Sequence, residues 1–271
     1  MANLQIFSVE RNNFTSGSRP SVVFRYYAAF LLFSAFFLFS VTCLAEKAIP
    51  VWSYHQSPPF ITGEGQGLSY DFIELLNRQL SGQYRLELAV MPRNRVEMYL
   101  SSGVRGGVLF VNGVWMKDKA QTKYLWGPEI IADSNVIISR MERPVMFDGT
   151  AQSLHGLVFG GVRGHYYVGL EEAMRQNLIH RIDARTEVVS IKRMLAGRVD
   201  VTSVPVSTLN YFMNSMPISG QIFVSPKLLF SYSRHLMLTK GMVEEHEQLK
   251  KQVLALAGNK NWQAILKKYG L

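Results

Sequence analysis

From residue 48 onward the chain alternates strand-like and helix-like segments; the alternation stops at Met141-Glu142-Arg143-Pro144 and then starts again. Two such blocks restrict the fold to layered α/β, with strands buried between helices. In the first block Ala48–Tyr54 reads as a strand. Ser69 follows as the N-cap of a helix whose apolar face is Phe72, Leu75, Leu76 and Leu80. Tyr84–Val90 alternates as a strand, Pro92 opens a short helix through Arg95, Met98 and Tyr99 that Gly103 ends, and Gly107–Val111 and Asn135–Ser139 are strands. In the second block Leu157–Val162 is a strand, Arg163-Gly164 a turn and Tyr167–Asn177 a helix; Ile182 sits in a short strand, Ser190–Leu195 is a helix, Val199–Val204 a strand and Ser207–Met213 a helix. Gln221–Val224 and Tyr232–Leu238 complete the strands, and the tail is helical over Val243–Leu256 and Trp262–Tyr269. There is no internal repeat, heptad run or low-complexity tract.

The N-terminal segment has a different character. Residues 1–27 are polar, with Arg11, Arg19, Arg25 and a single acid, Glu10, and an apolar run follows from Ala28 to Ala45. A positive flank, an apolar run and a small residue at the cut form the pattern of a secretory signal, so residues 1–45 read as a signal peptide with cleavage after Ala45. The run is nearly long enough to span a bilayer, which leaves an uncleaved anchor as the alternative. The one cysteine, Cys43, lies inside this segment, and Ser40-Val41-Thr42 is a poor lipid-attachment box before it. The exported part therefore has no disulfide and no thiolate chemistry.

Residues 46–271 carry net +7, because the three arginines and one glutamate of the leader account for two of the chain's +9. The excess favours anionic solutes in general. Without Lys/Arg blocks it is a solvated basic surface, and nucleic acid is not expected as a partner. The six histidines show no metal-type spacing, there is no G-x-S-x-G elbow, and the acid pairs Glu171-Glu172 and Glu244-Glu245 fall on helix surfaces. No metal, cofactor or catalytic residue is expected.

The order of motifs resembles the family-3 extracellular solute-binding proteins, the periplasmic receptors of polar amino-acid-type ABC transporters. The resemblance rests on the first strand with Pro58-Pro59-Phe60, on Gly67-Leu68-Ser69-Tyr70-Asp71, and on Leu100-Ser101-Ser102-Gly103. It continues through Trp126-Gly127-Pro128, the stretch Leu154–Gly164, Leu195–Asp200 and the ending Ile265-Leu266-Lys267-Lys268-Tyr269-Gly270. It implies a periplasmic binding protein-like type II fold of α/β class: two α/β lobes joined by a two-strand hinge, with a ligand cleft between them. Residues 46–141 plus 234–271 would form lobe 1 and residues 142–233 lobe 2. Three departures matter. Lys119 stands where amino-acid receptors of the family carry the arginine that grips the ligand carboxylate, Pro205 where they carry the acid that holds the amine, and Gly106 where many carry an aspartate.

Loops beyond strand carboxyl ends line such a cleft. The candidates are Tyr54 and Phe60 for stacking, Arg95 for an anion, Asn112 and Trp115 beyond the third strand, and Arg163 with Tyr166 and Tyr167. In that last group a strand ends in a turn that opens a helix, whose free N–H groups would bind an anion. The expected function is a monomeric periplasmic receptor that closes on a small polar solute and delivers it to a membrane permease of an ABC transporter. A sensor module and a periplasmic enzyme such as a dehydratase are the alternatives.

Overall fold

The computed structural model describes residues 46–80, 82–215 and 218–271. The expected signal peptide, Cys43 included, lies outside them. Eight strands form one sheet: β1 Lys47–Ser53, β2 Tyr84–Val90, β3 Gly107–Val111, β4 Leu125–Arg140, β5 Val158–Val162, β6 His180–Ala184, β7 Val201–Pro205 and β8 Ile222–Leu238. The helices are α1 Leu68–Gln79, α2 Arg93–Ser101, α3 Glu171–Arg175, α4 Glu187–Leu195, α5 Val206–Ser215, α6 Val243–Leu254 and α7 Lys260–Lys268. No helix among the described residues is long and apolar enough to cross a membrane.

The strand order is β2-β1-β3-β8-β4-β7-β5-β6. β2, β1 and β3 pair in parallel, and so do β6, β5 and β7. The two sequence blocks thus build the same β-α-β-α-β unit twice. Between them runs an antiparallel ribbon of β4 and β8, which are 16 and 17 residues long. β8 pairs with β3 at one end of the ribbon, and β4 pairs with β7 at the other.

Each parallel unit packs a core on both sheet faces, and strand alternation sorts the side chains between them. In the first unit Leu109, Leu236 and Leu238 join Phe72, Leu76 and Trp262, while Val108 and Met237 join Trp52 and Val96. In the second, Val136 and Ile138 join Ile191 and Phe212, while Ile137 joins Phe147, Phe159 and Ile179. Covering on both faces is why Gly107–Val111 reads as an unbroken apolar run. The C-terminal α7 closes the first unit: Asn259 caps it through bonds from the N–H of Asn261 and Trp262, and Trp262 packs edge-on against Phe72 at 5.3 Å.

The structure corrects four expectations. α1 begins at Leu68, not after Ser69, because Leu68 and Ser69 donate to the carbonyls of Pro59 and Phe60 and the Pro58-Pro59-Phe60 turn sets the helix start. The strand expected at Asn135–Ser139 is the far half of β4, whose first half carries Gly127, Pro128 and two register shifts that hide its period. The segments Gln221–Val224 and Tyr232–Leu238 are one strand, β8, since Pro226 lies within it rather than ending it. The helix expected over Tyr167–Asn177 is the five-residue α3, because Gly169 at φ 81 is left-handed and stops helical winding between Tyr167 and Glu171.

Candidate functional site

Loops that follow strand carboxyl ends in both units meet across a cleft. Tyr54 and His55 follow β1, Arg93 opens α2 after β2, and Trp115 follows β3; from the other unit come His165, Tyr166 and Tyr167 after β5, Glu187 at the start of α4 after β6, and Pro205 at the end of β7. The inner space they line is small, about 30 Å³, room for about two water molecules. It opens onto an outer space of about 510 Å³ between Gln56, Pro92, Arg93 and Asn94 on one side and Arg163, Arg185 and Thr186 on the other. Tyr54, Arg93, His165 and Glu187 line both.

Contacts across the cleft hold it closed. Ser57 Oγ donates to the Glu187 carboxylate, and the Tyr54 ring meets the His165 imidazole edge-on at 6.0 Å. His165 Nδ1 lies 3.6 Å from Glu187 Oε1. Burial holds the His165 pKa below its ordinary value, with Arg93, Arg181 and Arg234 acting the same way and Glu187 opposing. Arg93 places its guanidinium 5.2 Å above the Tyr54 ring while its Nε donates to Glu97 at 3.0 Å. Tyr54 is buried, its hydroxyl has no hydrogen-bond partner among the described residues, and burial raises its pKa.

The floor is built on the ribbon. Arg234 of β8 is wholly buried. Its Nε and Nη2 donate to Asp133 Oδ2 at 3.0 and 2.9 Å, Nη2 also to the Tyr232 hydroxyl at 3.1 Å, and Nη1 to the Phe110 carbonyl at 3.1 Å. The remaining Nη1 proton meets His55 Nε2 at 3.4 Å. A guanidinium has five N–H donors, and each has an acceptor here. His55 can accept there as the neutral imidazole with its proton on Nδ1, in keeping with a pKa that burial, and next Arg234, push well below the ordinary value. Phe110 reaches its position through a left-handed φ of 59 at a register shift between β3 and β8. This region is unfavourable for a bulky residue, and here it turns the carbonyl onto the cation. On the other side Asp133 accepts from Ser207 Oγ at 2.7 Å and Ser207 N–H at 3.2 Å, in the first turn of α5. One carboxylate therefore ties the ribbon to the second unit, and one guanidinium ties it to the first.

Of the residues expected at the site, Tyr54, Trp115, Tyr166 and Tyr167 meet in the inner space, and Arg163 lines the outer one. Phe60 lies beneath Arg234 with no face on either space. Asn112 stands behind Trp115, where its Oδ1 accepts from the N–H of Val114 and Trp115 and shapes the loop. Arg95 points to solvent. The anion turn at Arg163 is also revised: no helix opens there, the His165 N–H bonds to Val162 and the Tyr167 N–H to Glu171, and Arg181 holds the Val162 and His165 carbonyls at 3.0 Å. Lys119 is exposed, on a loop organised by its neighbour Asp118, which accepts from Thr122, Lys123, Tyr124 and the Trp126 indole.

Sequence reasoning missed His55, Arg93, Asp133, Glu187 and Arg234. For Arg93 a signal existed: it lies three residues before Val96, on the buried face of α2, whereas Arg95 lies off that face.

Gly106 also has a packing reason. A Cβ there would lie 2.7 Å from the Trp52 ring and 2.9 Å from the Pro50 carbonyl, so an aspartate cannot be accommodated without a shift of these neighbours. Gly106→Ala is expected to destabilise by about 1–3 kcal/mol through overpacking, measured as a lower urea midpoint; an unchanged midpoint would show that Trp52 moves freely.

No family model and no curated protein matches the chain. Solved structures do. An ancestral arginine-binding protein bound to arginine superposes with a TM-score of 0.68 at 14% identity, covering 83% of this chain and 98% of that one. The GluR0 ligand-binding core from Nostoc punctiforme in complex with L-glutamate gives 0.66 at 15%, covering 82% and 98%. The Bordetella pertussis BvgS periplasmic VFT2 domain gives 0.59 at 19%, covering 82% and 93%. The chain has the type II periplasmic binding protein fold.

Proposed function

We propose that the chain is an exported receptor that closes on a small polar solute in the outer cleft and presents it to the membrane permease of an ABC transporter. The observation that carries this reading is the cleft itself: loops from two like units clasp through Ser57 and Glu187 around a buried, unpartnered Tyr54 hydroxyl. The lobes, 46–141 with 234–271 and 142–233, would turn about β4 and β8, the strands that run from one unit to the other. Closure of this kind is driven by better contacts to the solute in the closed state. Arg93, Arg163 and Arg185 against Glu187 give the outer space a positive balance, which favours a solute with an anionic end. Glu187 is placed to take a donor group of the same solute. A sensor module is the second reading; sequencing the mature N-terminus separates a released receptor from an anchored sensor.

A thermal-shift screen over amino acids and small organic anions tests the cleft. A solute at a hundred times its Kd should stabilise by about 3 kcal/mol, a rise in Tm of about 5–10 °C for a chain of this size. Tyr54→Phe and Glu187→Gln should weaken that solute about tenfold or more, while Arg95→Ala leaves it unchanged. Equal affinity in all three variants would place the solute elsewhere.

A further inference from the structure

The Arg234 guanidinium is surrounded as a bound ligand would be. Its Cζ lies 4.4 Å from the Phe60 ring centroid, 5.1 Å from Tyr232 and 5.2 Å from Trp115. Its N–H groups are met by the Asp133 carboxylate, the Phe110 carbonyl, the Tyr232 hydroxyl and the His55 imidazole nitrogen. These acceptors suit a planar cation with a fork of donors; an ammonium would use three donors and has no plane to stack. The walls come from separate stretches: residues 55–60 after β1, 110–115 around the end of β3, β4 at Asp133 and β8 at Tyr232. Phe60 packs at 5.2 Å on Phe110, and Trp115 at 4.5 Å on Tyr232, so the rings support one another without the arginine.

We propose that Phe60, Trp115, Tyr232 and Asp133 form a guanidinium-binding box that the chain fills with its own Arg234, which makes Arg234 the residue that decides what the cleft floor can accept. With the plug in place the inner space holds about 30 Å³ and solutes are confined to the outer one. Because Arg234 itself lines the inner space, truncating it joins the box to the cleft and gives a small guanidinium compound a route in.

The test is chemical complementation of Arg234→Ala in the whole chain, with methylguanidinium at millimolar, non-denaturing concentration against methylammonium and urea. R234A should melt below the wild type and regain part of the difference with methylguanidinium; titration calorimetry should show binding about tenfold tighter than for methylammonium. The wild type, already plugged, should respond to neither. A folded R234A that methylguanidinium does not stabilise, or that methylammonium or urea stabilises as well, overturns the proposal, as does a wild type that responds equally. Arg234→Lys keeps the charge and the stem but not the fork, and it decides the matter if R234A cannot be obtained folded. R234K should melt below the wild type, and an equal Tm overturns the box. Complementation reads this site whether or not the outer cleft takes a solute.

Discussion

Asp133→Asn should lower the Tm of the chain by about 6–20 °C, the largest effect expected of any single isosteric change in the ribbon. The substitution keeps the shape of the side chain and removes its charge, leaving Arg234 wholly buried without a counter-ion. Removing one partner of a buried ion pair costs about 3–5 kcal/mol, and each kcal/mol moves Tm by about 2–4 °C in a chain of this size. The same change weakens the bonds from Ser207 that fix α5 to the ribbon, so both units lose an anchor at once. The double variant Asp133→Leu with Arg234→Met, which removes both charges and restores apolar volume, should recover a large part of the loss. Breaking the exposed Glu74–Arg78 pair of α1 instead, through Glu74→Gln, should move Tm by about 2 °C at most, since exposed pairs contribute little. If D133N melts with the wild type, Arg234 has found another acceptor or leaves the interior. Differential scanning calorimetry on the three variants separates these outcomes.

The units were legible in the sequence because their strands are covered on both faces or alternate cleanly. Gly107–Val111 and Tyr84–Val90 stand where the pattern puts them, and so does the apolar face of α1. The ribbon was not legible. Its strands leave one block and enter the other, so Leu125–Ser134 mixes buried Ile130 and Ile131 with half-exposed Trp126, Gly127 and Pro128 and presents no single period. The same holds for the site. Tyr54 and Trp115 could be named because large rings beyond strand ends are conspicuous, whereas Asp133 and Arg234 lie inside strands that were only partly recognised. Arg234 did leave a trace. In Tyr232–Leu238 it alternates with Leu236 and Leu238, and therefore shares the face they bury in the first unit's core. A charge on a buried strand face needs a partner, and two acids of the facing strand flank the cross-strand neighbour Ile131 by two positions: Glu129, which is exposed, and Asp133, which is buried and makes the pair. Glu187 left none, because only the three-dimensional meeting of α4 with Ser57 makes it a cleft residue.

Acidification from pH 7 to pH 5 should destabilise the chain, and the cause lies in the same floor. Both histidine pKa values are held down in the folded protein, His55 by burial and then Arg234, and His165 by burial, which Glu187 opposes and Arg93, Arg181 and Arg234 reinforce. Their folded pKa values lie below the value of about 6.5 that each regains on unfolding. Between the two values the unfolded chain binds more protons than the folded one, so stability rises with pH there by about 1 kcal/mol per unit for each histidine. Above pH 6.5 both states are neutral and this contribution is complete; it is lost as pH falls from 6.5 through the folded values. Protonating His55 also removes the lone pair that accepts from Arg234 Nη1 and sets two cations face to face. His55→Gln keeps an acceptor at that point and cannot titrate, so urea midpoints of H55Q should vary less between pH 7 and pH 5 than those of the wild type, and the double variant with His165→Gln less again. Asp118, which burial pushes up but the Trp126 indole and backbone donors hold below its ordinary value, titrates below this window. A wild-type profile flat from pH 7 to 5, or one that the double variant reproduces, would mean that neither histidine is neutral and enclosed, and with that the acceptor for the fifth guanidinium proton would be gone.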